Sequence, residues 1–420
     1  MEKNILKKII LENQQRIPGL DIVQRDYTPE PLAHYLFTGQ RRAGKTYFMY
    51  SLIQQRLRQR HPIETALYIN FEDERLIGFD VSDFDSLLES YQELFPHHPV
   101  LFFDEIQNIA GWQKFARRVA DTGYQTYITG SNSEMLSSEM ASTLGGRFRV
   151  MEIETLSFAE FLRFNGVVVD DKIAFSPKRF DVIRLFGEYF STGGFPELLR
   201  YSEKKEYLSN LFQKVFLGDI IARYQVRNPF ALRVLVKKLA ESTMDEVSFN
   251  RMRNIIASTG SKVGTATVIE YIKYLEDAFL IRSVTNYRAK ISSREAKKKY
   301  YFRDNGLLSL FLPEPVSFQL ETLVYNHLQR KHGANLYYLR DESEVDFFVP
   351  GEVLIQAAIS LAEPTTRKRE IASLLQARSG HPVKKLVIVT LDTEDTIVEN
   401  GVTIQVLPAW KWMLDDFQNS

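Results

Sequence analysis

The stretch from Tyr35 to Leu57 carries the residues best suited to chemistry. A short apolar run leads into Gly39-Gln40-Arg41-Arg42-Ala43-Gly44-Lys45-Thr46, after which apolar residues recur at helical spacing. Strand, loop and helix in that order suit a polyphosphate. Glycines let backbone N–H groups converge on an anion, a helix N-terminus adds partial positive charge, and a lysine and a hydroxyl reach phosphate and Mg²⁺. A glycine turn beside an ordinary helix is the plainer alternative, and the flanking elements weigh against it. A second run, Pro99 to Ile106, reads as a buried strand ending in Asp104 and Glu105. Carboxylates at the carboxyl edge of a parallel strand lie where ligands bind in open α/β sheets. There the first would hold Mg²⁺ and the second would orient or deprotonate an attacking water. A third run, Thr126 to Ser133, sets Ser131 and Asn132 at another strand end, within reach of a terminal phosphate or simply capping a helix.

These residues need a sheet to position them. With a further strand at Ala66 to Asn70, strands alternate with helical patterns, which predicts an α/β fold with a parallel sheet covered on both faces. From Leu156 to about Pro229 the chain is aromatic and helical in spacing, punctuated by Gly193, Gly194 and Pro196. From Ala231 to Phe302, three helical patterns precede two strand-like stretches, Leu280 to Val284 and Lys299 to Phe302, an order that suits a winged helix-turn-helix. Its third helix, Thr265 to Phe279, offers Lys273 against Glu270, Glu276 and Asp277, a poor match to a groove flanked by phosphates. The cations follow it instead: Arg282, Arg288, Lys290, Arg294, Lys297, Lys298 and Lys299. They are expected to grip DNA phosphates without reading bases. A solvated loop in a protein-interaction module is the alternative. Beyond these lie a helical stretch from about Phe318 to Lys331 and strands at Leu336 to Leu339, Glu344 to Val349, Val353 to Ala357 and Lys385 to Thr390.

Composition bounds the function. The 420 residues are 44% hydrophobic, enough for several cored domains. Lysine plus arginine equals aspartate plus glutamate at 53 each, so any binding to nucleic acid must be local. Cysteine is absent, which removes disulfides, thiolate metal sites and cysteine nucleophiles. A reducing, cytoplasmic setting is the natural expectation. No apolar run reaches roughly eighteen residues, so no membrane span is expected, and charges within Met1 to Leu20 argue against a signal peptide.

The motifs also carry a resemblance. Gly39 to Thr46, Tyr68-Ile-Asn-Phe-Glu-Asp-Glu-Arg-Leu76, Phe102-Phe-Asp-Glu-Ile-Gln107 and Ile128-Thr-Gly-Ser131 resemble the AAA-type ATPases of archaea and bacteria that carry a C-terminal DUF4143 domain. Leu144-Gly-Gly-Arg147, Leu156 to Phe161 and Gly193-Gly-Phe-Pro-Glu197 match further family positions in order. The resemblance implies a P-loop ATPase core at 1–155, a helical lid at 156–230, a winged-helix domain at 231–303 and a restriction-endonuclease-like domain at 304–420. It implies ATP and Mg²⁺ as ligands and a homo-oligomer, a hexameric ring being one form. By the same resemblance, Gly39 to Thr46 bind nucleotide, with Lys45 and Thr46 as the Walker A lysine and Mg²⁺-linked hydroxyl. Asp104 and Glu105 are the Walker B pair, and Ser131 or Asn132 the first sensor. Arg147, or its neighbour Arg149, is the finger that reaches another subunit's nucleotide. In the C-terminal domain, Glu321, Asp346 and Gln356 match the first three positions of a nuclease site, while Ala358 stands where a lysine is needed. Alanine supplies neither a donor nor a charge, so nuclease activity is expected to be absent.

Overall fold

The computed structural model describes residues 1–131, 138–170, 173, 176–340 and 343–418. They form two compact units, Met1–Thr155 and Leu156–Ser420. None of the helices described is long and apolar enough to cross a membrane.

In the first unit, β1 (His34–Thr38), β2 (Ala66–Asn70), β3 (Val100–Asp104), β4 (Thr126–Thr129) and β5 (Phe148–Glu152) form one parallel sheet, ordered β2-β3-β4-β1-β5. Because side chains alternate across a strand, each strand serves two cores. Leu36, Leu67, Ile69, Leu101, Phe103 and Ile128 pack with helices Lys3–Arg16, Asp83–Gln92 and Trp112–Asp121. Tyr35, Phe37, Tyr68, Phe102 and Tyr127 point the other way and meet helix Lys45–Arg58. Burial on both faces explains why these strands read as continuous apolar runs. The strands all point the same way, so the ends of β1, β3 and β4 gather at one edge.

In the second unit, β6 (Val247–Ser248), β7 (Ile281–Val284) and β8 (Lys297–Phe302) form an antiparallel sheet ordered β6-β8-β7. It packs with helices Pro229–Glu241, Phe249–Ser258 and Thr265–Asp277. A six-stranded mixed sheet follows: β9 (Tyr337–Arg340), β10 (Glu344–Val349), β11 (Val353–Ala357), β12 (Lys385–Thr390), β13 (Asp395–Glu399) and β14 (Val402–Pro408). Phe347, Val349, Ile355, Val387 and Val389 pack with helix Val316–His332. Val345, Phe348, Leu354, Leu386 and Ile388 pack with helix Pro364–Gly380.

Residues 156–230, expected to form one lid, are shared between two cores of this unit. Helices Phe158–Phe164 and Arg179–Thr192 join the core around Tyr325 and Trp412, whereas helix Lys204–Lys214 joins the three helices before β7. The cause lies at Gly193 and Gly194, where the chain turns from one core to the other. The Gly194 N–H donates to Asp304 Oδ2 at 2.8 Å, and the Leu156 N–H donates to the Gly194 carbonyl at 2.7 Å.

Candidate functional site

At the carboxyl edge of the parallel sheet, residues 39 to 44 leave β1 and enter helix Lys45–Arg58 through backbone that alternates in hand. Gly39 has φ 138°, Arg42 63° and Gly44 98°. Successive reversals of this kind turn N–H groups inward into an anion-binding concavity. Gly39 has no substitute, since a Cβ there would lie 2.1 Å from the Ile153 carbonyl oxygen. Lys45 is buried and arches back over the loop, donating to the carbonyls of Gly39 at 3.0 Å and Gln40 at 3.2 Å. The loop is held from behind by Arg25, also buried, whose guanidinium donates to the Ala43 carbonyl at 3.0 Å and to that of Glu154 at 2.8 Å. Arg25 was not singled out from the sequence, because a lone arginine in a loop carries no signal.

Asp104, at the end of β3, is fully buried and accepts hydrogen bonds from three hydroxyls. Thr46 Oγ1 donates at 2.7 Å and the Tyr68 hydroxyl at 2.8 Å, both to Oδ2, and Thr129 donates to Oδ1. Burial and the adjacent Glu105 push the Asp104 carboxyl above its ordinary range, and the three hydroxyl donors oppose that shift. Thr46 and Asp104 thus present neighbouring oxygens, the kind of donor that a hard divalent cation such as Mg²⁺ prefers. Glu105 sits in left-handed backbone, φ 53°, with its N–H held by Thr129 Oγ1 at 2.9 Å. A non-glycine residue seldom adopts that conformation, and here the reversal separates its side chain from the buried course of β3. Gln107 Nε2 donates to Glu105 Oε2 at 2.5 Å and lies 3.4 Å from Ser131 Oγ. Ser131 therefore joins the Glu105 group. Asn132 lies outside the described residues.

Arg147 follows the turn at Gly145 and Gly146 and does not join these residues. Its Nε pairs with Asp121, and one terminal nitrogen donates to the Gly145 carbonyl at 3.2 Å. Arg149, on β5, pairs with Glu30.

The second unit holds a separate cluster, made by three elements. Lys299 from β8 is 1% exposed, and its Nζ lies 3.3 Å from Glu344 Oε1, 3.6 Å from Glu321 Oε1 and 3.9 Å from Asp346 Oδ1. This corrects two expectations. Lys299 is not a surface cation of the basic stretch, because strand alternation turns it and Tyr301 inward. And although Ala358 is buried among apolar side chains, the carboxylates do have a lysine, supplied by another strand. Tyr301 donates to Glu321 Oε1 at 2.6 Å. Burial and the nearby Asp346 charge raise the Glu321 carboxyl to about 7, despite the pull of Lys299. Burial would lower the Lys299 ammonium, but Glu321, Asp346 and Glu344 outweigh it and raise it. Gln356 serves the backbone, accepting from the Asp346 N–H at 2.9 Å and donating to the Glu344 carbonyl at 2.9 Å. Of the other cations, Arg288, Lys290 and Lys297 are exposed, and Arg282, Arg294 and Lys298 are half-buried. Arg294 donates to the Tyr287 carbonyl, and Lys298 pairs with Glu295 at 3.2 Å.

The parallel sheet, the phosphate-loop backbone and the Thr46–Asp104 pair define an AAA-type P-loop ATPase fold, and residues 33–162 match a family model described as AAA domain. The chain is 31% identical to the uncharacterized protein MJ1544 of Methanocaldococcus jannaschii over 98% of this chain and 96% of that one, and it belongs to the same family. An uncharacterized protein of Haemophilus influenzae is 28% identical over 90% of this chain and 94% of its own. Residues 183–316 match a second model, a domain of unknown function, DUF8612, rather than the expected DUF4143. Among solved structures, a Walker-type ATPase of Pyrococcus abyssi is similar with TM-score 0.38 and 13% identity, covering 74% of this chain and 95% of that one. The ORC1 protein of Aeropyrum pernix, in complex with DNA, gives TM-score 0.30 and 14% identity, covering 73% and 90%.

Proposed function

We propose that this protein is a Mg²⁺-dependent ATPase that works as an oligomeric, DNA-associated motor or remodeller in the cytoplasm. The observation that carries the reading is the meeting of Thr46, Asp104 and Glu105 beside the Lys45 loop. Residues 39 to 46 would hold the phosphates, with Lys45 leaving its carbonyl partners for them. Mg²⁺, held by Thr46 and Asp104, would neutralise charge on the phosphates and polarise the bond to be broken. Glu105 takes the proton of the attacking water, and Ser131, with Asn132 beside it in sequence, orients that water. Arg147 is the finger for a neighbouring subunit, a role in which its planar, permanently charged head suits a phosphate. Its pairing with Asp121 is then the resting state of the isolated chain.

DNA enters this reading through the second unit. Three helices followed by a small antiparallel sheet support a winged-helix module, and the exposed Arg288, Lys290 and Lys297 beside it suit phosphate contacts. The mixed sheet flanked by two helices supports a restriction-endonuclease-like scaffold without nuclease activity. Lys299 supplies the charge that Ala358 lacks, so the proposed absence of activity rests instead on the Gln356 amide, both ends of which are engaged by backbone.

A second reading is a nucleotide-gated switch that acts on protein partners. It draws on one contact: the Gln107 amide holds Glu105 in a hydrogen bond that competes with water activation. Steady-state ATP turnover with and without duplex, single-stranded and branched DNA, at low and moderate salt, separates the two. Salt-sensitive stimulation that vanishes in Glu105→Gln is the motor's result. Turnover indifferent to every DNA, with ATP binding intact, is the switch's result.

A further inference from the structure

A chain of hydrogen bonds runs from the surface of the first unit to Asp104, and each link comes from a different element. Arg16, the last residue of helix Lys3–Arg16, is exposed, and its guanidinium donates to the Tyr50 hydroxyl at 2.7 Å. Tyr50 lies on helix Lys45–Arg58, one turn beyond Thr46, and its hydroxyl lies 3.2 Å from that of Tyr68 on β2. The Tyr68 hydroxyl reaches Asp104 Oδ2 at 2.8 Å. Tyr50, Tyr68 and Asp104 are all buried. A guanidinium can only donate, so Tyr50 accepts from it and donates its one proton to Tyr68, and Tyr68 donates its own to Asp104. Both hydroxyls thus accept and donate in the same direction, the arrangement in which each bond polarises the next. The rings are held as firmly as their hydroxyls. Tyr50 and Tyr68 meet edge to face with centroids 5.0 Å apart, and the Arg16 guanidinium lies 5.1 Å from the Tyr50 centroid. Asn13 Oδ1 accepts from the same guanidinium at 3.2 Å and steadies it on its own helix.

Asp104 receives Thr46 and Tyr68 on Oδ2 and Thr129 on Oδ1. A carboxylate offers about four acceptor sites, so these donors set the rotation of the group and decide which lone pair stays open. Thr46 and Thr129 belong to the sheet edge itself, whereas Tyr68 leads away from it, through Tyr50, to the surface. Both tyrosine rings pack in the core between the sheet and helix Lys45–Arg58, so removing a hydroxyl leaves that packing in place.

We infer that Arg16, Tyr50 and Tyr68 are positioning residues for the carboxylate that holds Mg²⁺, and that a change at the exposed end of the chain is felt as cation affinity at its buried end. The inference rests on the ATPase reading above and deepens it, giving the cation site a remote support on helix Lys3–Arg16. All three residues act through Asp104.

The experiment uses the full-length protein with Mn²⁺ as the probe, its binding read by electron paramagnetic resonance at a saturating, non-hydrolysable ATP analogue. Tyr68→Phe is expected to weaken Mn²⁺ about tenfold, the loss of one hydrogen bond to a charged group. Tyr50→Phe and Arg16→Met are expected to weaken it about twofold to threefold, through polarisation of the bonds that remain. Affinity for the analogue without metal should stay as it was in all three. Arg16→Lys, which keeps a charged donor, should recover most of the loss. The decisive comparison is the double variant: Arg16→Met should cost nothing further once Tyr68 is phenylalanine, because the path to Asp104 is already cut. An equal cost of Arg16→Met in both backgrounds overturns the inference. So do variants that lower the melting temperature and leave the Mn²⁺ midpoint unmoved, a result that keeps the ATPase reading standing. Should Tyr68→Phe fail to fold, Arg16→Met at the exposed end decides alone, by a weakened or an unchanged midpoint. Absence of analogue binding and of ATP turnover in the unaltered protein overturns the ATPase reading, and the inference with it.

Discussion

The Thr46 hydroxyl donates to Asp104 Oδ2 at 2.7 Å and so joins the first turn of helix Lys45–Arg58 to the last residue of β3. That donation opposes the burial and the adjacent Glu105 charge, which together push the Asp104 carboxyl up. Thr46→Val should raise the Mg²⁺ concentration needed for half-maximal turnover while leaving the fold intact. Titrating Mg²⁺ against turnover at saturating ATP checks this. An unchanged midpoint would remove Thr46 from the cation site.

Glu105→Gln preserves size and the backbone bond to Thr129 but removes the base. Turnover should fall by about 10²- to 10⁴-fold with nucleotide affinity retained, read by steady-state kinetics beside equilibrium binding of a fluorescent ATP analogue. Lys45→Ala should instead lose the binding.

Gln107 supplies a test of restraint. If its amide holds Glu105 back, Gln107→Ala should raise basal turnover severalfold and weaken any stimulation by a partner. A fall in turnover to the level of Glu105→Gln would show that Gln107 positions the base for attack.

Arg147 is expected to act between subunits. Arg147→Ala should cost about 10³-fold or more in turnover, whereas Asp121→Asn, which frees Arg147 from its own chain, should cost little. Mixing Arg147→Ala subunits with Lys45→Ala subunits should recover part of the activity, because a mixed interface pairs an intact nucleotide site with an intact arginine. No recovery at any ratio in a confirmed mixed oligomer argues for a role within one subunit.

The Lys299 cluster makes the second unit sensitive to pH. Glu321 has its carboxyl raised from 4.5 to about 7, so the folded chain holds that proton more tightly than the unfolded one. Its contribution is full below pH 4.5 and is lost as pH rises through about 7. Urea unfolding followed across this window should show stability of the second unit falling with rising pH, and Glu321→Gln should flatten the slope. Lys299→Met leaves two buried carboxylates without their cation and should cost about 3–5 kcal/mol above that window. The loss should shrink at low pH, where both acids accept protons.

Much of the first unit was legible because its information is local. Gly39 to Thr46 lie within one loop and helix start, and the Asp104–Glu105 pair closes a continuous apolar run, so period and residue type suffice to place both at one sheet edge. Tyr68 opens one motif of the resemblance and ends up in a strand without a role of its own in the sequence, and its bond to Asp104 depends on the register that sets Asn70 beside Asp104. Gln107 likewise gains meaning only from the turn that left-handed Glu105 imposes.

The second unit divides differently. Much of its order of helices and strands up to β12 follows from periodicity, whereas β6, β13, β14 and the final helix Ala409–Gln418 were not read, and which cation faces solvent does not follow from the sequence at all. The run Lys297-Lys298-Lys299 looks uniform in sequence, yet a strand alternates its faces and its two sides meet different neighbours. Lys297 reaches the rim of a recess, Lys298 pairs beside a helix, and Lys299 is buried against carboxylates from a helix and a strand that follow it in the chain. Chemistry that one loop encloses is written in residue order. Chemistry assembled from β8, β10 and helix Val316–His332 depends on how their faces pack, and only the tertiary structure decides that.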